Sequence, residues 1–168
     1  EDSIAVKAVH GHCDLEGLPV ATQGYQVLTL VQALRVRADV LLVVENLESL
    51  RFLERNRWID YEGKAVLAVF RGDRTFRADI VARFIESSGA TVWAYFDFDP
   101  AGLGMSAKLP RLQRILLPPE AALVHAARKA NQVHLYADQA GQWSRTLTAD
   151  KRPMVRSPWE LLMQLRIG

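Results

Sequence analysis

The 168-residue sequence has a single cysteine, Cys13, so it can form no internal disulfide and no cysteine-based zinc cluster. No purely aliphatic run is longer than Val40 to Val44, far short of a bilayer span, and no basic segment followed by an apolar one opens the chain. Internal repeats and low-complexity segments are lacking as well. Charge of one sign is also missing: 21 Lys and Arg against 19 Asp and Glu leave a formal +2, too little by itself to argue for nucleic acid. The first residue is Glu1 and not methionine, which predicts a piece of a longer protein. What is present, 49% hydrophobic and 24% charged residues, is the composition of one ordinary domain with a sizeable core, expected in the cytoplasm. Sixteen of the 21 basic residues are arginine. The planar guanidinium suits phosphate, and a G+C-rich genome produces the same bias without any function.

Ile4, Val6 and Ala8 alternate with positions read as outward and predict a short strand, and residues 10–24 read as loop. His10, His12 and Cys13 make a poor metal set, with no second group at a suitable spacing. Val27, Leu30, Val31 and Leu34 recur at helical spacing and predict a helix ending near Arg37. Val40 to Val44, apolar on both faces, then reads as a central strand of a parallel sheet and ends on Glu45-Asn46. A helix through Leu47, Leu50 and Leu53 follows, and then a second strand, Ala65 to Phe70, stopping at Arg71-Gly72-Asp73. The next helix buries Phe76, Ile80, Val81, Phe84 and Ile85 and stops at Gly89. Thr91 to Phe96 is the third strand, followed by a helix to about Lys108 and a fourth strand, Arg114 to Leu117.

Strict alternation of strand and helix predicts a four-stranded parallel sheet flanked by helices, all strand C-termini lying on one rim. A lead-in covers residues 1–37, the core 38–120, and a less regular helical extension 121–168, with Glu120 to Lys129 helical, Val133 to Tyr136 a short strand, and Ser157 to Glu160 a capping box opening a last helix.

On the shared rim stand Glu45 and the pair Asp97 and Asp99 of the stretch Asp97-Phe98-Asp99-Pro100-Ala101-Gly102. Carboxylates from two strand ends make an all-oxygen site suited to Mg2+ or Mn2+, and such a site serves phosphodiester chemistry. Each acid also has a plainer role open to it. Asp99 before Pro100 is a good helix N-cap, and Glu45 could be an ordinary strand-end residue. Asp97 directly after an apolar strand has the weakest such alternative, because burial there needs a partner. In the loop Arg71-Gly72-Asp73-Arg74, Arg71 and Arg74, together with Arg77 and Lys108, are candidate phosphate contacts, although exposed arginines at a helix start are common without function.

Val43-Val44-Glu45 together with Asp97-Phe98-Asp99-Pro100-Ala101-Gly102 resembles the Toprim domain of topoisomerases, primases and certain nucleases, over about residues 38 to 120. The Asp-x-Asp-Pro-x-Gly signature is similar to that of the topoisomerase VI A subunit, and Glu45-Asn46-Leu47 is similar to the nuclease subunit of Wadjet and MksBEF condensin-like plasmid-defence systems (MksG or JetD type). The resemblance implies a Toprim-like, Rossmann-like fold, Mg2+ or Mn2+ as cofactor, and metal ligation by Glu45, Asp97 and Asp99, with Glu45 alternatively a general base. Glu48, one helical turn after Glu45, matches a position where some relatives carry a further acid, and a solvated helix residue would look the same. Implied partners are DNA and SMC-like condensin subunits at the bacterial nucleoid, with a homodimer compatible and no membrane. The topoisomerases use a tyrosine from a separate winged-helix domain, and Tyr25, Tyr61, Tyr95 and Tyr136 stand in no such motif. Either another part of the protein carries that tyrosine or the reaction is plain hydrolysis, which the Wadjet-type resemblance implies. The alternatives are a topoisomerase VI- or primase-like activity and a non-catalytic DNA- or partner-binding module.

Overall fold

The computed structural model describes residues 2–130 and 133–166. The chain starts with β1 (Ser3–His10), two short strands β2 (Asp14–Leu15) and β3 (Leu18–Pro19), β4 (Gln26–Thr29), helix α1 (Leu30–Leu34) and β5 (Val36–Arg37). The alternating core follows as β6 (Val40–Val44), α2 (Leu47–Arg51), a 3-10 turn (Leu53–Arg55), β7 (Val66–Phe70), α3 (Ala78–Ser88), β8 (Thr91–Tyr95), α4 (Pro100–Ala107) and β9 (Leu112–Ile115). Three helices end it: α5 (Glu120–Ala130), α6 (Val133–Ala149) and α7 (Pro153–Leu165).

The main sheet has six strands in the order β4-β1-β7-β6-β8-β9. Its four core strands pair in parallel, β6, β7 and β8 being apolar on both faces as inner strands of such a sheet are, while β1 is antiparallel to both β4 and β7. Each face of the sheet has its own core. One packs Leu41, Val43, Val92 and Ala94 against α3, α4 and the last helices. The other packs Val40, Leu42, Val44 and Trp93 against Leu50 and Leu53 of the α2 segment.

The sheet is thus wider than the expected four strands, and the difference lies wholly in the lead-in. Val27, Leu30, Val31 and Leu34 do not form one helix: Val27 belongs to edge strand β4, and only Leu30–Leu34 is helical, started by a capping box between Thr29 and Gln32. Their helical spacing is coincidental, since Val27, Val31 and Leu34 face solvent while Leu28 and Ala33 are buried. The expected loop 10–24 contains β2 and β3, which form a small sheet with β5. Positions on β1 read as outward are buried too. Lys7 lies on the inner face with its ammonium bonded to Leu50 O, Arg51 O and Glu54, so a buried charge is fully partnered.

The last fifty residues are more regular than expected. Val133 to Tyr136 begins the 17-residue α6, whose stripe Tyr136, Ala140, Trp143 and Leu147 packs into the core at helical spacing. The capping box at Ser157 is not used: α7 starts earlier, with Arg152 at its N-cap and Pro153 at its first position, leaving Pro158 inside the helix. Among the described residues, no helix is long and apolar enough to cross a membrane.

Candidate functional site

Strand register decides which residues meet. Val44 lies opposite Phe70 on one side and Tyr95 on the other, so the residues that follow these three, Glu45, Arg71 and the Phe96-Asp97 pair, leave the sheet together. Within the four parallel strands the chain order is second, first, third, fourth. The helix after β6 covers one face and the helix after β8 the other. The gap between β6 and β8 is therefore a topological switch point, where the outgoing chains part and open α/β sheets hold ligands. Glu45 and Asp97 flank that gap.

Their contact is close. Asp97 N donates to Glu45 Oε2 at 2.8 Å, and Asn46 Nδ2 reaches Asp97 Oδ1 at 3.1 Å and Oδ2 at 3.3 Å. Arg71 Nη2 stands 4.0 Å from Glu45 Oε1. Burial pushes the Glu45 carboxyl above the usual carboxylate range, and the charges of Asp97 and Asp99 push the same way, against the Asp97 N–H and Arg71. A glutamate held in this manner keeps its proton more readily than a free one, and a nearby cation would stabilise its ionised form.

Asp99 does what its sequence context offers. Its Oδ1 accepts from Gly102 N at 2.6 Å, capping α4 with Pro100 at the first helical position, while Oδ2 lies 3.4 Å from Gln139 Nε2 of α6. Gly102 explains the end of the motif: a Cβ there would stand 2.2 Å from Asp97 O, so only glycine lets the helix start this close to the strand end. Glu48 is exposed in the first turn of α2 and enters no side-chain hydrogen bond or ion pair among the described residues. Three His, Cys, Asp or Glu side chains already arranged about one point as metal ligands do not occur among the described residues.

The four candidate phosphate contacts separate. Arg71 belongs to the cluster. Lys108, at the C-cap of α4, holds its ammonium 4.4 Å from the centre of the Trp143 ring. Arg77 is committed to Asp79 by two hydrogen bonds, and Arg74 is exposed on the loop. Asp73 is a turn residue that accepts from Thr75 N and Phe76 N. In the lead-in, His10 bonds Lys64 O, His12 lies 3.8 Å from Asp14, and Cys13 is buried with its thiol pushed up to about 11, so these three do not converge.

A family model described as a domain of unknown function, DUF7281, matches residues 1–167. The chain belongs to that family. No curated protein and no solved structure matches it. Three neighbours of the carboxylates in this DUF7281 domain have no role beside them that the sequence alone assigns. Asn46 stood beside Glu45 and, as a side-chain donor at a strand end, was detectable in principle. Gln139 comes from a helix forty positions away and has no local signal. Tyr95 ends β8, where its hydroxyl bonds Asn56 Oδ1 at 3.3 Å and its ring helps to line a cavity of about 160 Å3 with Asp97.

Proposed function

We propose that the domain is a Toprim-like, divalent-metal-dependent DNA nuclease domain, acting as the cleaving part of a bacterial SMC-like plasmid-restriction complex. One observation carries this reading: Glu45 and Asp97, with Asp99 behind them, stand side by side at the switch point of the parallel sheet.

The donor set suits the group. Its oxygens are hard ligands of the kind Mg2+ or Mn2+ takes, and both Asp97 oxygens face only the neutral Asn46 amide among their hydrogen-bond partners. Glu45 and Asp97 would hold the ion, with Asp99 contributing the oxygen not engaged in the cap. When bound, it would neutralise phosphate charge and prime a water for attack. The rest falls to the chain itself. Arg71 sits beside Glu45 to receive a phosphate oxygen, and Glu45, its acidity weakened by burial, is the alternative proton acceptor where it does not hold the ion. Tyr95 is unsuited as a covalent nucleophile, because burial and the Asp97 charge raise its hydroxyl further from ionisation, which favours hydrolysis over topoisomerase chemistry.

A second reading, a module that binds DNA or a partner without cutting, draws on the oxygens already in use for the Asp97 N–H and the α4 cap. Plasmid cleavage in Mg2+ or Mn2+ by the full-length protein tests both. Asp97→Ala and Glu45→Ala should each lower the rate by more than about 100-fold while circular dichroism stays native. Undiminished cleavage by both variants would refute the nuclease assignment.

A further inference from the structure

On the α3 and α4 side of the switch point lies a cavity of about 290 Å3 that the cleavage chemistry does not use. Val43 and Phe96 line it from the sheet, Ala82 and Ile85 from α3, and Met105 from α4. Its polar lining is sparse and mostly cationic: Arg71, Lys108 and Glu86. Arg71 is the shared wall. Its Nη2 is 4.0 Å from Glu45, and its Nε is buried with no acceptor among the described residues. Buried donors are rarely left so, and an acceptor arriving with a ligand would complete it.

An apolar hollow with a phenyl ring, two cations beside it and an unfilled guanidinium donor fits a ligand with a flat apolar body and an anionic end. The volume is near the low end of small-molecule pockets, about 300–1,000 Å3, so it admits a base and sugar but no length of duplex. A phosphate at Arg71 would at the same time lie next to Glu45, whose other oxygen accepts the Asp97 N–H. We propose that the cavity receives one unstacked nucleotide of the DNA strand, its base against Phe96 and its phosphate at Arg71 and Lys108. The substrate is thereby narrowed to DNA that can release a base from its stack: single-stranded, frayed or flipped. The identity of the ligand as a piece of DNA rests on the nuclease reading, whereas the nucleotide chemistry of the cavity does not.

The test is a calorimetric titration of the full-length protein with thymidine 5′-monophosphate, inorganic phosphate and thymidine, all without divalent metal. The nucleotide should bind at least about tenfold more tightly than either fragment. Ala82→Phe, placed on an exposed position of α3, should fill the cavity and weaken nucleotide binding at least about tenfold, and Ala82→Val should weaken it less. Arg71→Gln should weaken nucleotide and phosphate together. Equal binding of phosphate and nucleotide, absence of nucleotide binding, or unchanged binding by a folded Ala82→Phe protein would each overturn the proposal. Should Ala82→Phe fail to fold, Ala82→Val and the wild-type preference for nucleotide over phosphate decide it. If cleavage requires Asp97 yet no nucleotide binds, the cavity assignment alone falls. If nucleotide binds and both Asp97→Ala and Glu45→Ala cleave undiminished, the nuclease reading falls and with it the identification of the ligand as DNA, while the nucleotide site stands.

Discussion

Glu45 is under two opposed demands. Its carboxylate is largely withdrawn from water and lies among other acids, so its ionised form is disfavoured, yet ionisation is what a cation site needs. Below the ordinary glutamate value of about 4.3 the folded and unfolded chains both carry the proton and Glu45 does not affect stability. As pH rises the unfolded chain loses its proton first, and above the raised folded value the native state bears the full cost of the charge. Glu45→Gln removes that cost and can keep an acceptor for the Asp97 N–H. Its melting temperature should therefore exceed the wild-type value at pH 7, by about 2–4 °C for each kcal/mol relieved, and approach it near pH 4. Mg2+ or Mn2+ should raise the wild-type melting temperature and leave Glu45→Gln unmoved. Calorimetry with and without metal checks both expectations, and a destabilised Glu45→Gln at pH 7 would show that the carboxylate is not strained. The meeting of Glu45 with Asp97 was legible because strand ends in a parallel sheet share a rim. Gln139 was not, because its position depends on how α6 docks.

At the scale of one element, α4 shows how a motif divides its labour. Asp99 caps, Pro100 starts the helix, Gly102 permits the close approach to Asp97 O, and Gly104 lets Trp143 of α6 lie flat, since a Cβ there would be 2.1 Å from the indole ring. Gly102→Ala should destabilise the fold by about 1–3 kcal/mol and disturb Asp97, because the blocking atom is backbone and cannot swing aside. Gly141→Ala, on α6 where a Cβ meets nothing within 4 Å, should instead stabilise by about 0.4–1 kcal/mol. Urea denaturation of the pair separates steric need from simple helix propensity, and equal losses would remove the close-approach explanation. This element could be read in advance because its signals are local. The α1 region could not: Val27, Leu30, Val31 and Leu34 satisfied a helical period across a strand-to-helix junction, and only burial on β1 reveals that Leu28 is the inward residue. For α6, the stripe from Tyr136 through Trp143 to Leu147 was in the sequence, but the alternation of Val133 and Leu135 at its start masked it.

For the molecule as a whole, the parallel core with its two faces was legible from double-sided apolar strands, whereas the width of the sheet was not. Ile4, Val6 and Ala8 signal β1, but its antiparallel pairing with β7 and with the four-residue β4 is long-range and neither segment announces it. The closure of the last helices is equally non-local, and one corner of it can be tested. Asp150, at the turn between α6 and α7, takes three hydrogen bonds from the Arg152 guanidinium, which also donates to Ala107 O at the end of α4 at 2.7 Å. Arg152 holds the Asp150 carboxyl below the usual carboxylate range. A depressed folded value means that this stabilisation is present above the ordinary aspartate value of about 3.9 and is lost as pH falls through the folded one. Asp150→Asn should melt below the wild type at pH 7, and the gap should narrow in acid once pH falls below the ordinary aspartate value. Because the same guanidinium grips α4, the loss should also loosen the helix that Asp99 caps, seen as faster amide exchange along 101–107 than along α3. Equal melting of the two proteins at pH 7 would mean that the corner is tied by the Trp159 indole to Thr148 hydroxyl bond and its apolar packing, with the ion pair a bystander.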